Sequence, residues 1–182
     1  MYARIIALLT ILSAIPANAE NLRALEDRHQ AIEIHADRAI RQERQGLTAY
    51  KGNVLIQQGS LRLEADAVTI SQAESDSPTE IIASGQPAKF SQQPDPDKPL
   101  IHAWADTIYY HLGDGKILLD GNARLEQGEA QVSSARIEYL ISEQVFSAGS
   151  DRNGDEPGSR VQVIIPAQQR KQPETETDTT QP

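Results

Sequence analysis

Residues 61–70 read LRLEADAVTI, and the pattern of this stretch decides the fold. Up to Ala65, apolar residues alternate with charged ones, which is the two-residue period of a β-strand with one buried face. After Asp66, the apolar residues Val68 and Ile70 keep the same period but take the opposite parity. A one-residue slip sends every later side chain to the other face of a strand. The stretch therefore predicts two strand segments that are joined by a bulge or a corner at Ala65-Asp66.

The same Ala-Asp motif returns along the chain. Its copies are Ala36-Asp37, Ala65-Asp66, Ala105-Asp106 and, in weaker form, Ser134-Ala135. The step from the first copy to the second is the same as the step from Ala105 to Ser134, so the copies form two equally spaced pairs. Such regularity is typical of one extended structure built from similar units. We therefore expect Asp37, Asp66 and Asp106 to mark structural corners, each with its carboxylate capping a local turn amide.

A second motif, Gly-Asn followed by alternating residues, lies between copies of the first. It occurs at Gly52-Asn53 and Gly121-Asn122, with the same offset that separates Ala36 from Ala105, and each copy is followed by Gln-Gly. Glycine allows the positive φ that a strand entry or a hairpin turn requires. Short strands at close and regular spacing, separated by glycines, are typical of an antiparallel sandwich, barrel or roll. We therefore predict an all-β fold with almost no helix.

The composition excludes several classes of function. The 182 residues carry a formal net charge of −9 at pH 7, so the chain lacks the basic footprint of a nucleic-acid-binding protein. It contains no cysteine, which excludes thiol catalysis, cysteine-ligated zinc and disulfides. The four histidines show no spacing typical of metal ligands, and the sequence has no phosphate-binding loop or nucleophile elbow. We therefore expect no catalytic residue, no metal site and no cofactor, and we interpret the protein as a non-enzyme.

The first residues are typical of a secretory signal peptide. Arg4 supplies a positive charge, residues 5–15 are mostly apolar, and Ala17-Asn18-Ala19 is a small-x-small cleavage site. The apolar run is shorter than the roughly 20 residues that span a bilayer, which argues against a retained membrane anchor. We therefore expect residues 1–19 to be removed by cleavage between Ala19 and Glu20.

The remaining chain divides into three regions. Residues 20–30 form an N-terminal segment, and residues 31–166 carry the alternating strands of a single β-domain. From residue 167 to residue 182 the chain is polar and has no apolar run. We expect disorder in this tail, because it cannot bury enough apolar surface to offset the entropy of ordering.

Six motifs, taken in order, carry a resemblance to a known family. They are Ile32-Glu33-Ile34-His35-Ala36-Asp37, Tyr50-Lys51-Gly52-Asn53-Val54, Leu63-Glu64-Ala65-Asp66, Gly85-Gln86-Pro87-Ala88-Lys89-Phe90, Leu119-Asp120-Gly121-Asn122-Ala123 and Ile137-Glu138-Tyr139. In this order they resemble the OstA-like family, and more closely its periplasmic lipopolysaccharide-export members. The match runs from about Ala31 to Pro166. It implies an OstA-like β-jellyroll of short antiparallel strands, open at both ends, with an apolar groove between the two sheets.

The resemblance also implies a function and a set of partners. The expected protein is a periplasmic lipopolysaccharide-binding transport protein that forms part of a head-to-tail bridge from the inner to the outer membrane. Its implied partners are lipopolysaccharide, further copies of itself, the bitopic periplasmic partner of the inner-membrane transporter, and the outer-membrane insertion complex. Nucleic acid is not among them.

The resemblance places five residues against the acyl chains of the lipid. They are Ile32, Ile34, Phe90, Tyr110 and Leu112. The alternation of apolar and polar residues agrees, because it puts these side chains on the apolar faces of their strands. The alternative interpretation is that they are ordinary core residues.

Two other functions remain open at this point. One is a monomeric periplasmic carrier of lipids or glycans, against which concentration-dependent oligomers would argue. The other is the membrane-anchored bitopic partner of the same pathway, which would need an uncleaved spanning helix. Trp104 has the parity of the polar face, and it either faces a partner or lies under a loop.

Overall fold

The structure is a computed structural model that describes residues 27, 29–72, 78–93, 95–141, 143–149 and 160–165. The expected signal peptide, its cleavage site at Ala19 and Glu20, and the tail of residues 167–182 lie outside the described residues.

The described residues form ten strands and one turn of 3₁₀ helix at Glu43–Gln45. The strands are β1 (Glu33–His35), β2 (Arg38–Gln42), β3 (Leu47–Gln58), β4 (Leu61–Gln72), β5 (Pro78–Gln92), β6 (Ile101–His111), β7 (Lys116–Gln127), β8 (Ala130–Leu140), β9 (Val145–Gly149) and β10 (Gln162–Ile164). The two Gln-Gly sequences form hairpin turns, with Gly59 at φ 59° and Gly128 at φ 60°, as the sequence predicts. The predicted all-β fold is confirmed.

All ten strands belong to one antiparallel sheet that follows the order of the chain. The strands β3 to β8 pair in succession. At one edge, β1 and β2 lie end to end along β3, and we call this the N-terminal edge. At the other edge, β10 and β9 lie end to end along β8, and we call this the C-terminal edge. Within the residues that the structure describes, the sheet does not close on itself, and no further strand pairs with either edge.

Every long strand has a shift in register near its middle. The pairings shift between Lys51 and Val54, between Glu64 and Ala67, between Ser84 and Ala88, between Trp104 and Thr107, and between Asp120 and Ala123. These bulges fall at the Ala-Asp, Gly-Asn and Gly-Gln-Pro motifs.

The bulges divide the sheet into two arms. Arm I contains residues 33–35, 54–58, 61–64, 88–92, 101–104, 123–127, 130–134 and 162–164. Arm II contains residues 38–42, 47–51, 67–72, 78–84, 107–111, 116–120, 136–140 and 145–149. The two expected sheets are thus the two arms of one continuous sheet, because each long strand passes through its corner without a turn.

The inner faces of the two arms share one hydrophobic core. Its largest fully buried side chains come from both arms, and they are Ile56, Leu63, Ile101, Ile108, Ile117, Leu119, Ile137, Val54 and Val68. The apolar parity changes at the corners of β4, β5, β6 and β8 and is kept at those of β3 and β7, and in each strand the apolar face continues on the inside of both arms.

The chain consists of two similar modules. The shift in numbering that takes Gly52 to Gly121 also takes the bounds of β3 to those of β7, and the start of β4 to the start of β8. The same shift places residues 33–42, which form β1 and β2, onto residues 102–111 within β6. Module 1 is therefore β1 to β5 and module 2 is β6 to β10. The pairing of β5 with β6 is the joint between the modules.

Candidate functional site

At each Gly-Asn corner, the asparagine side chain donates a hydrogen bond to an aspartate of the adjacent segment in the sheet. Asn122 donates a hydrogen bond from Nδ2 to Oδ2 of Asp106 at 2.9 Å, and Asn53 donates the equivalent bond to Asp37 at 3.0 Å. A Cβ atom added at Gly121 would lie 2.5 Å from Oδ2 of Asp106, which is closer than van der Waals contact allows. The corner therefore needs a residue without a side chain at this position.

These contacts correct the expected role of the aspartates. The carboxylates of Asp37 and Asp106 bond to an asparagine side chain on the next long strand, rather than to a turn amide of their own. Asp66 lies exposed in the bulge of β4. The sequence holds the signal for this pairing, because Asp37 and Asn53 recur with the same spacing as Asp106 and Asn122.

Two rows of inward side chains run across the strands from edge to edge. The arm I row contains Ile34, Ile56, Leu63, Phe90, Ala103, Leu125, Val132 and Val163. The arm II row contains Arg41, Thr48, Ile70, Ile81, Tyr110, Ile117, Tyr139 and Phe146. The arm I row is wholly apolar, whereas four members of the arm II row carry a polar group.

Side chains fill the space between the arms in the middle of the sheet. The rings of Phe90, in arm I, and Tyr110, in arm II, meet edge to face with their centroids 6.0 Å apart. Their exposed fractions are only 2% and 3%. A ligand that enters this region must therefore separate the arms.

The space opens into a cavity of about 400 Å³ near the N-terminal edge. It is lined by Ile32, Ile34, Ala39, Arg41, Thr48, Tyr50, Ile70, Gln72, Pro78 and Ile81. Most of these residues are apolar, and the volume lies within the range of ordinary ligand pockets. Arg41 places a guanidinium group in this otherwise largely apolar lining.

The five predicted acyl-facing residues separate into two groups in the structure. Ile32 and Ile34 line the cavity. Phe90 and Tyr110 are buried in the packed middle, and Leu112 is partly buried against the same core. All five therefore belong to the inner apolar surface, and the two isoleucines are the ones that line the cavity near the N-terminal edge.

Sequence reasoning missed the part of the cavity that β2 supplies. In the sequence, Ile40 is the large apolar residue of Arg38-Ala39-Ile40-Arg41, yet it is 41% exposed. Ala39 and Arg41 instead line the cavity, because they pair with Tyr50 and Thr48 on β3. The sequence did carry a signal for this face of β2, namely the corner at Asp37. The inward-facing residues are even-numbered before this corner and odd-numbered after it.

At the C-terminal edge, the inner face ends in exposed apolar side chains. Phe146 is 44% exposed and Val163 is 50% exposed, and both occupy inward positions of their rows. Exposed large apolar groups at a free strand edge are a ready surface for pairing with another chain.

The outer face of arm I carries a cluster of aromatic and charged side chains. Trp104 stacks on His102 with ring centroids 5.8 Å apart, and the guanidinium carbon of Arg124 lies 5.1 Å from the ring centroid of Trp104. On β4, a hydrogen bond from Arg62 lowers the pKa of Glu64 below its usual value, and Lys89 on β5 adds to the effect. Trp104 is thus partly covered by charged neighbours on its own sheet.

Two kinds of feature are absent from the described residues. Among them, no group of three or more His, Asp or Glu side chains is arranged to hold a metal ion. Across the same residues, no helix is long and apolar enough to cross a membrane.

Comparison with known proteins identifies the family. Residues 33–145 match the family described as LptA/(LptD N-terminal domain) LPS transport protein. The chain belongs to this family. The matched span includes both rows from β1 to the start of β9, so the family match covers most of the inner surface described above.

Individual relatives agree with the family match. The chain is 31% identical to the lipopolysaccharide export system protein LptA of Escherichia coli K12 over 158 residues, which cover 86% of this chain and 82% of that protein. It is 28% identical to LptH of Pseudomonas aeruginosa over 163 residues, covering 88% and 93%. The crystal structure of LptH from Pseudomonas aeruginosa superimposes with a TM-score of 0.71 at 29% identity, over 78% of this chain and 99% of that one. LptH is described there as the LptA-homologous periplasmic component of a lipopolysaccharide transport device.

Proposed function

We propose that the protein is a periplasmic carrier of lipopolysaccharide that holds the acyl chains of its cargo between the two arms. The cavity near the N-terminal edge is the observation that carries this proposal, because it continues the apolar inner surface into open space. Family membership and the names of the relatives support the same cargo.

The energetics of acyl chains explain why such a carrier needs an inner apolar surface. Burial of a methylene group is worth about 0.8 kcal/mol, so a chain of about a dozen carbons costs on the order of 10 kcal/mol to leave in water. Lipid with several chains cannot cross an aqueous space freely. The chain itself is acidic, with a net charge of −9, so acyl contact rather than general charge attraction to lipid phosphates has to supply most of the affinity.

We also propose that copies join head to tail through their free edges. The internal joint between β5 and β6 supports this, because it already pairs the last strand of one module with the first strand of the next. By position in the modules, the strands of the C-terminal edge correspond to β5 and those of the N-terminal edge correspond to β6. The C-terminal edge of one copy can therefore pair antiparallel with the N-terminal edge of the next, as β5 pairs with β6. Edge-to-edge pairing of this kind is β-augmentation.

The internal joint also defines a register for the joint between copies. At the internal joint, Ile81 pairs with Tyr110 and Ala83 pairs with Ile108. The equivalent residues at the edges are Phe146 opposite Arg41, and Ala148 opposite Ala39. In this register the arm I row continues as well, with Val163 of one copy opposite Ile34 of the next.

In the proposed bridge, the outermost copies would contact the bitopic periplasmic partner of the inner-membrane transporter and the outer-membrane insertion complex. The periplasmic location is supported by the relative described as periplasmic. A monomeric lipid carrier would use the same cavity but would stay monomeric at high concentration. The membrane-anchored bitopic partner would keep residues 1–19, which an intact-mass measurement of the isolated protein detects.

Photo-crosslinking in cells tests the cargo. A photoreactive phenylalanine analogue is introduced singly at Ile32, Ile34, Phe90, Tyr110 and Leu112, with Tyr109 as the control. Tyr109 neighbours Tyr110 on β6 but has the opposite parity, so it faces away from the core. We expect lipopolysaccharide adducts from the five inner positions and none from Tyr109. An absence of adducts from all five inner positions would overturn the proposal.

A further inference from the structure

Tyr139 is a buried tyrosine whose hydroxyl has no hydrogen-bond partner among the described residues. The side chain is 4% exposed and lies in the arm II row, between Ile117 and Phe146 on the flanking strands. A buried tyrosine hydroxyl ordinarily finds a partner, because leaving a polar group unpaired in the interior forfeits its hydration without compensation. Such a group therefore needs an explanation.

The other buried side-chain oxygen without a partner in the described chain is Oε1 of Gln92, at the end of β5. It lies outside both rows, next to the segment that leads into β6. Tyr139 differs because its row runs without interruption from the cavity at one edge to the exposed ring of Phe146 at the other.

The two rows differ in a way that indicates what passes between them. All residues of the arm I row are apolar. The arm II row carries Arg41 and Thr48 at the cavity, and the hydroxyls of Tyr110 and Tyr139 farther along. A purely hydrocarbon ligand would gain nothing from this polar content. A ligand with an oxygen function on or beside its hydrocarbon chains would gain hydrogen bonds on the arm II side only.

On the basis of the proposed carrier function, we propose that the Tyr139 hydroxyl binds a hydroxyl group on the acyl chain of the cargo. The bound lipid then lies with its hydrocarbon against the arm I row and its oxygen functions against the arm II row. Desolvation raises the pKa of Tyr139 to about 12, so the hydroxyl keeps its proton at neutral pH and is available as a donor.

Two fatty acids that differ by one hydroxyl group test this inference. The mature protein is titrated calorimetrically with 3-hydroxytetradecanoic acid and with tetradecanoic acid, each below its micelle-forming concentration. We expect the hydroxylated acid to bind about fivefold to tenfold more tightly, which is the net effect of one hydrogen bond. Tyr139→Phe should abolish this preference and leave the affinity for tetradecanoic acid unchanged.

A matched variant and a stability measurement separate binding from folding. Tyr109→Phe removes the same atom from the outer face and should keep the full preference. Tyr139→Phe should unfold at the same or a higher temperature than the wild type, because it removes an unpaired buried group. A wild type without any preference, or a Tyr139→Phe variant that retains it, would overturn this inference alone. If the wild type binds neither acid, the proposed acyl-binding function fails as well.

Discussion

The corner at Gly121 leaves too little space for a methyl side chain. Gly121 has φ 77°, and an added Cβ would lie 2.5 Å from Oδ2 of Asp106. Gly121→Ala combines this overlap with a backbone conformation that L-residues avoid, so we expect a loss of about 1–3 kcal/mol in the free energy of unfolding. Urea denaturation measures it. Gly113→Ala is the control, because nothing lies within 4 Å of its added Cβ, and it should be nearly neutral.

The overlap at Gly121 predicts a non-additive pair. In the double variant Gly121→Ala/Asp106→Ala the carboxylate that meets the new methyl group is gone. We expect the double variant to lose less stability than the sum of the two single variants, because the closest overlap, with Oδ2 at 2.5 Å, is gone and only the contact with Cβ at 3.0 Å, the backbone strain and the lost Asn122 hydrogen bond remain. Strict additivity would show that the overlap costs nothing.

Tyr139 also makes stability depend on alkaline pH. Burial raises its pKa from 10.0 to about 12, so the folded state favours the protonated form. The contribution is fully present below pH 10 and is lost as the pH rises from 10 through 12, by on the order of 2–3 kcal/mol at most. We expect Tyr139→Phe to lose less stability than the wild type between pH 9 and pH 11.5 in urea denaturation. Equal losses in both proteins would contradict this assignment.

At the scale of the strands, the C-terminal edge is suited to association. Phe146 and Val145 are neighbours on β9, are similarly exposed, and point to opposite faces. In the proposed joint, Phe146 enters the shared interior opposite Arg41 of the next copy, so Phe146→Lys removes an apolar ring and places a second positive charge beside the guanidinium group. We expect self-association to weaken by tenfold or more in sedimentation velocity, with little change in monomer stability. Val145→Lys, on the outer face, should have a much smaller effect, and equal effects would speak against the proposed orientation of the edge.

The strands also show how far sequence reasoning reaches. The parity change at Ala65-Asp66 predicts the bulge of β4, since a slip of one residue has no other physical solution in a strand with one buried face. Local pattern could not show that the arms belong to one sheet, because that depends on whether the chain turns or continues at each bulge. It also could not assign Arg41 to the cavity lining, since pairing with Thr48, and not hydropathy, sets the face of a short edge strand. The missing partner of Tyr139 is a property of packing that no sequence pattern records.

At the scale of the whole molecule, the register derived from the internal joint can be tested covalently. The chain has no cysteine, so introduced pairs report without background. Ala39→Cys and Ala148→Cys, placed in separate copies and mixed under mild oxidation, should form a disulfide-linked dimer. Ala39→Cys with Ser147→Cys is the control, because the one-residue shift turns the second thiol to the other face. Preferential linkage in the shifted pair would contradict the register.

The likeness between the internal joint and the proposed external joint bears on the length and strength of a bridge. The length of the bridge would be counted in modules rather than in whole molecules. A tandem fusion of two copies would therefore be as long as two separate copies joined head to tail. The joints would nevertheless differ in one respect. Residues 93–100 tether β5 to β6, whereas nothing covalent holds one copy to the next. A bridge under strain would therefore part between copies and never within one, and its persistence would be set by the local concentration of the protein.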